Sequence, residues 1–250
     1  MTTRIRNTSL LTLAAVAMCV GSAATANAAN LALGKSYAYF GSTLPGQGGG
    51  HYQDDTHAGA LGDFDTGELT DGILAYDPLP VPAVASIPGP SVGFHKSGQD
   101  GALGAAEAPP ADIIFDLTTI STVDDIVIGT IQANGGNHAP DDVTISYSTT
   151  GIAPGDFGSA QFYDLETMFG PLANILHHDL PLVVGGISAR YVKLSFDGGS
   201  MANLGGFDPN EKYTLDEITI NGDAIPEPSA FLLAALGLLG LLGITRRRRR

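Results

Sequence analysis

Ala189-Arg190-Tyr191-Val192-Lys193-Leu194-Ser195-Phe196 alternates residue by residue: Val192, Leu194 and Phe196 fall on one face, Tyr191, Lys193 and Ser195 on the other. Successive side chains of a strand point to opposite faces, so this period of two marks a β-strand with one face in a core. Ile113, Phe115 and Leu117 repeat the pattern, as do Val143, Ile145 and Tyr147, and Ile218 and Ile220 close the series. Val123 to Ile131 is rich in β-branched residues, which suit a pleated, half-buried surface. Turn residues such as Asn134-Gly135-Gly136-Asn137 and Asp197-Gly198-Gly199 separate the runs. The expectation is an all-β domain, an antiparallel β-sandwich. Between Gly41 and Pro110 glycine and proline are dense and apolar pieces short, which reads as long loops over few strands.

Both ends of the chain look like addresses. Arg4 and Arg6 precede an apolar stretch from Leu10 to Val20, and Ala26-Asn27-Ala28 offers small residues to signal peptidase, so residues 1–28 read as a signal peptide cut after Ala28. The single cysteine, Cys19, lies in that leader, and Met18 before it argues against a lipoprotein. The remaining domain, residues 29–224, must therefore hold its core without disulfides. At the other end, residues 225–250 combine Pro226-Glu227-Pro228, an apolar run from Ala230 to Ile244 and five arginines, Arg246 to Arg250. A helix over the apolar run reaches only about 22 Å against a bilayer core of about 30 Å, and counting back to Ile225 adds enough length for it to cross, but barely. The arginines would stay in the cytoplasm and leave everything before Pro226 outside.

This tripartite tail resembles the PEP-CTERM sorting signal of Gram-negative bacteria. The resemblance implies processing at Pro226-Glu227-Pro228 by an exosortase, passage through an inner-membrane intermediate, and delivery to the cell surface or extracellular matrix, often of a biofilm. A permanent single-pass anchor would explain the apolar run and the arginines but not the Pro-Glu-Pro.

Charge narrows the partners. Without the tail's one acid and five arginines and the leader's two arginines, the domain keeps 25 acids against 5 bases, Lys35, Lys96, Arg190, Lys193 and Lys212. Such a surface repels nucleic acid and suits divalent cations.

Asn30-Leu31-Ala32-Leu33-Gly34-Lys35, Leu69-Thr70-Asp71-Gly72, Phe115-Asp116-Leu117, Val143 to Ser148, Ala189 to Leu194 and Leu215-Asp216-Glu217-Ile218 come in the order seen in discoidin-like domains, also called coagulation factor 5/8 type C. The chain resembles that family over most of residues 30 to 222, which implies a galactose-binding-like jelly roll, a fold shared with carbohydrate-binding modules. The chain has no Trp, and Val92-Gly93-Phe94 stands where the family carries one. The Pro- and Gly-rich insert from Tyr76 to Pro110 points to remodelled ligand-facing loops.

Asp63 to Gly72 concentrates carboxylates in a turn-rich loop, the hard oxygen ligands that Ca²⁺ requires, although its glycine does not follow EF-hand spacing. The family resemblance implicates Asp71 and Glu217 as structural Ca²⁺ ligands, with Glu68 at a further liganding position, whereas Ile73 and Pro82 occupy two other expected ones. The plainer reading is a solvated acidic loop. Arg190, the domain's one arginine, suits an ion pair with an acidic neighbour or, alternatively, a hydrogen bond to a sugar. His51, Tyr52, Asp54, Asp55 and His57 form a Gly-flanked group without clear metal spacing, read as a loop rather than a zinc site. Aromatic and polar side chains on loops grip pyranose rings, which makes Tyr37, Tyr39, His51, Tyr52, Phe94 and His95 the candidate ligand set.

Gly89-Pro90-Ser91-Val92-Gly93 matches the pattern of a hydrolase nucleophile elbow, but Pro82, Pro88 and Pro90 deny it the preceding strand. His177-His178 precedes Asp179 without metal-ligand spacing. The expectation is an exported, non-catalytic protein that binds exopolysaccharide. Its competitors are an adhesive matrix protein that binds protein or itself, and a secreted hydrolase using the His and Asp loop.

Overall fold

The computed structural model of the chain describes residues 28–40, 54, 57–74, 92–95, 111–132, 139–170, 172, 176–197, 212–225 and 237. Among these residues eight strands form antiparallel pairs: β1 (Ala29–Asn30), β2 (Tyr37–Phe40), β3 (Val92–His95), β4 (Ala111–Gln132), β5 (Asp142–Ser148), β6 (Gln161–Asp164), β7 (Leu176–Asp197) and β8 (Lys212–Ala224). A short helix, α1 (Leu165–Phe169), follows β6, and 3-10 turns cover Glu68–Thr70 and Pro154–Asp156. Asp164 caps α1 by accepting from the Thr167 N–H at 2.8 Å.

Two strands belong to both halves of the fold. In its first part β4 lies between β2 and β7, with Tyr37 opposite Phe115 and Ile113 opposite Leu194. From Ser121 onward its neighbours are β7 and β8, with Ile126 opposite Leu182 and Ile220. Between the two parts the register jumps from Asp116/Tyr191 to Ser121/Ala189, so Leu117 to Ile120 make a corner. Thr118 takes a left-handed φ of 68° there, a conformation that a β-branched residue adopts only under constraint. The constraint is visible: its N–H donates to Asp116 at 2.8 Å and its hydroxyl accepts from Lys35 Nζ at 3.1 Å. β7 answers the corner with extra residues around Gly185 and Gly186.

The corner folds the sheet over one core. Tyr37, Ile113, Phe115, Val192, Leu194 and Phe196 from one half share a single buried cluster with Ile126, Ile128, Leu180, Leu182, Ile218 and Ile220 from the other. Burying each such side chain contributes about 1.5–3 kcal/mol. This is the antiparallel sandwich that the alternating runs predict.

The sandwich has two distinct ends. At one, Phe196 of the first half meets Tyr213 of the second with ring centroids 5.6 Å apart, Phe40 lies opposite Asp112, and Asp142 lies opposite Asp197. The chain leaves β2, β3, β4 and β7 here and enters β4, β5, β7 and β8 here, so this is the loop end, whereas the connection from Ser148 to Gln161 lies toward the other. At the other, the corner of β4 meets both ends of the domain: Ala29 pairs with Gly222, and the Ile225 N–H donates to the Ile120 carbonyl at 3.0 Å. This is the tail end.

Candidate functional site

Tyr37 and Tyr39 are core residues rather than ligand-gripping ones, 0% and 1% exposed. They alternate on β2 opposite Phe115 and Ile113, so pleating turns both rings inward, which removes them from the candidate ligand set. Their hydroxyls converge on Asp54 Oδ2, that of Tyr39 at 2.7 Å, while Asp54 Oδ1 accepts the Glu68 N–H at 3.1 Å. Burial first, then the Asp54 charge, holds the Tyr37 hydroxyl far above its usual range; burial and the neighbouring Tyr37 do the same for Tyr39. Both stay protonated and donate. His57 completes the cluster, its ring 5.1 Å from each tyrosine ring and its Nε2 3.0 Å from the Tyr37 carbonyl oxygen. Gly67 has no side chain because a Cβ there would come within 2.6 Å of Asp54 Oδ1. Asp54 and His57 thus tie the loop to β2.

Glu217 marks a second locus. Between Ile128/Ile218 and Thr130/Leu215 β8 holds one residue more than β4, a bulge that contains Asp216 and Glu217. Glu217 is buried; its Oε2 accepts the Gly72 N–H at 3.2 Å, and its Oε1 has no hydrogen-bond partner among the described residues. Burial, followed by repulsion from Asp71 and Asp216, pushes its carboxyl up to about 8. Asp71 is exposed and its Oδ1 caps the turn by accepting the Ile73 N–H at 2.7 Å. The Glu68–Thr70 turn packs on β8, and Glu68 within it is buried. Glu68, Asp71 and Glu217 thus occupy one region of the fold. Among the described residues, however, no three His, Cys, Asp or Glu side chains converge as a metal-binding group.

Arg190 forms the ion pair expected of it. Its Nε and Nη2 donate to the two oxygens of Asp116 at 3.0 and 3.1 Å, and its guanidinium lies 4.9 Å from the Tyr191 ring centroid. One constellation lay beyond the sequence reading. His177 Nδ1 is 2.6 Å from Asp216 Oδ2 and its Nε2 is 2.9 Å from Asp179 Oδ1, with Asp216 wholly buried. Only β-pairing through β4 brings residues 39 positions apart together, and spacing along the chain carries no sign of it.

Phe94 and His95 lie on β3 opposite Tyr213 and Lys212, at the loop end. His51, Tyr52, Asp55, Ser91, Ala26, Pro226, Glu227 and Pro228 lie outside the described residues, and Ala28 immediately precedes β1. Among the described residues no helix is long and apolar enough to cross a membrane.

Comparison with known proteins resolves the tail. Residues 224–250 match the PEP-CTERM protein-sorting motif, so the chain carries that signal, which marks it for export and surface sorting and implies exosortase processing. No curated protein matches the chain. Solved structures similar to it include a fucolectin from Morone saxatilis serum, at 15% identity and a TM-score of 0.44, covering 81% of this chain and 51% of that one. Another is the family 32 carbohydrate-binding module of C. perfringens NanJ in complex with galactose, at 12% identity and a TM-score of 0.42, over 78% and 98% of the two chains. A third is a family 32 module from a family 31 glycoside hydrolase of Clostridium perfringens, at 13% identity and a TM-score of 0.46, over 81% and 99%. The chain spans about half the fucolectin's length. Likeness at this level says nothing of what this chain binds.

Proposed function

We propose that this chain is an exported surface or matrix protein, cut at Pro226-Glu227-Pro228, whose β-sandwich binds exopolysaccharide without catalysing a reaction. The observation that carries the reading is the position of the sorting motif, which begins at the last residue of β8 and so delivers the whole sandwich to the outside. Sugar binding is assigned to the loop end. Phe94 and His95 reach that end through β3, and the loop that carries His51 and Tyr52 departs from Phe40 there. With Tyr37 and Tyr39 in the core, these four residues form the ligand set. A glycan array probed with the purified domain tests the proposal: binding to at least one polysaccharide, weakened severalfold by Tyr52→Ala or Phe94→Ala, is the expected result. Failure to bind any glycan would leave the adhesive-matrix reading, in which the same surface meets protein.

A structural Ca²⁺ is the second part of the proposal, and Oε1 of Glu217, which has no hydrogen-bond partner among the described residues, favours it. Glu217 and Asp71 would supply carboxylate oxygens, Glu68 lies in the adjoining turn, and main-chain carbonyls would complete a shell of hard oxygen donors. The ion would neutralise the repulsion among Asp71, Asp216 and Glu217.

A further inference from the structure

The sorting motif begins inside the folded domain. It starts at residue 224, β8 ends at Ala224, and Ile225 is still bonded to the corner of β4 through the Ile120 carbonyl. Only Pro226, Glu227, Pro228 and Ser229 separate that bonded residue from the apolar run that starts at Ala230. The five steps from Ile225 to Ala230 span at most roughly 17 Å even when fully extended, and less to the extent that these residues lengthen the short apolar run. The polar layer on one side of a bilayer takes up about 5–8 Å of that reach. A domain of this length is roughly 40 Å across, so a leash with roughly 10 Å to spare cannot let it turn freely.

From this we infer that the tail end of the sandwich is a membrane-apposed surface, which rests on the lipid headgroups as long as the tail is uncut. The inference depends on the tail being membrane-inserted before processing. The surface is formed by Thr118, Thr119 and Ile120 of the corner together with Asp223, Ala224 and Ile225. All six are exposed, and Ile120 and Ile225 present apolar side chains 42% and 39% accessible, side by side. Hydroxyl and aliphatic groups of this kind suit the boundary between water and headgroup. The loop end, marked by the Phe196–Tyr213 contact, then faces away from the membrane, toward any polymer outside the cell. Orientation is thus built into the junction, because the strand that completes the sandwich is also the stem of the anchor.

Cysteine probes test this, because Cys19 is the only cysteine in the chain. In a Cys19→Ser background, Thr119→Cys marks the tail end. Met168→Cys on α1 marks the loop end, where Asp164 pairs with Asp142. The full chain is reconstituted into phosphatidylethanolamine and phosphatidylglycerol vesicles, labelled with a fluorophore and challenged with headgroup-spin-labelled lipid. Quenching at position 119 should exceed that at position 168 severalfold. About twenty Gly and Ser residues inserted between Ile225 and Pro226, with an r.m.s. reach of roughly 25 Å, should abolish the difference. Equal or reversed quenching in vesicles that float with bound chain overturns the orientation while leaving the tail reading intact. A chain that fails to float with the vesicles overturns both.

Discussion

At the scale of single residues, Glu217 decides more than any other side chain. Its carboxyl titrates near 8 in the folded protein against an ordinary 4.5, because it is buried beside Asp71 and Asp216. A folded value above the unfolded one means that the native state holds the proton more tightly, so this group's contribution is greatest below about pH 4.5 and is lost as pH rises toward 8. In chelator, stability should fall across that window by about 4–5 kcal/mol at most, and Glu217→Gln should flatten the decline. Urea titrations at several pH values read both effects. Added Ca²⁺ should reverse the loss and raise the melting temperature by several degrees, since a ligand that binds only the native state stabilises it. Identical melting curves in chelator and in Ca²⁺ would exclude the ion from this site. Arg190 was legible in advance, because a lone arginine among acids finds an acidic partner. Tyr37 and Tyr39 were not: their place depends on a four-residue strand whose alternation, Tyr-Ala-Tyr-Phe, is too short to stand out beside the glycine-rich loop that follows.

At the scale of elements, the two 22-residue strands β4 and β7 organise the site by turning the corner between the halves. The sequence displays their better-patterned parts, Ile113 to Leu117, Val123 to Ile131 and Tyr191 to Phe196, as separate runs. The first part of β7 is not legible in the sequence because His177-His178, Pro181 and Gly185-Gly186 interrupt the alternation that Leu180, Leu182 and Val184 otherwise provide. The Glu217 bulge also depends on its neighbour strand. A Cβ at Gly129 would lie 2.8 Å from the Glu217 carbonyl oxygen and 2.9 Å from its nitrogen, so only glycine lets β4 approach the bulge. Gly129→Ala should therefore destabilise the domain by about 1–3 kcal/mol, as over-packing against rigid backbone does. Urea denaturation measures it, and a stability indistinguishable from wild type would show that the bulge yields without cost.

At the scale of the whole molecule, the acidic balance, the cysteine-free domain, the sorting motif and the proposed leader belong to one account. A domain with 25 acids and 5 bases that uses no disulfide relies on its apolar core, and on cations wherever carboxylates crowd. The fold class and the sorting motif could both be read from local patterns, alternation in the one case and a contiguous tripartite tail in the other. The His177–Asp216 contact and the Phe196–Tyr213 junction could not, because the first needs β7 and β8 paired on either side of β4 and the second arises only when β4 and β7 fold over. The strongest consequence of the account is that the protein reaching the surface has lost both ends, and intact mass spectrometry of material recovered from the cell surface tests this directly. The expected species begins at Ala29 and ends within Pro226-Glu227-Pro228, whereas a mass that still includes the apolar run and Arg246 to Arg250 would contradict it.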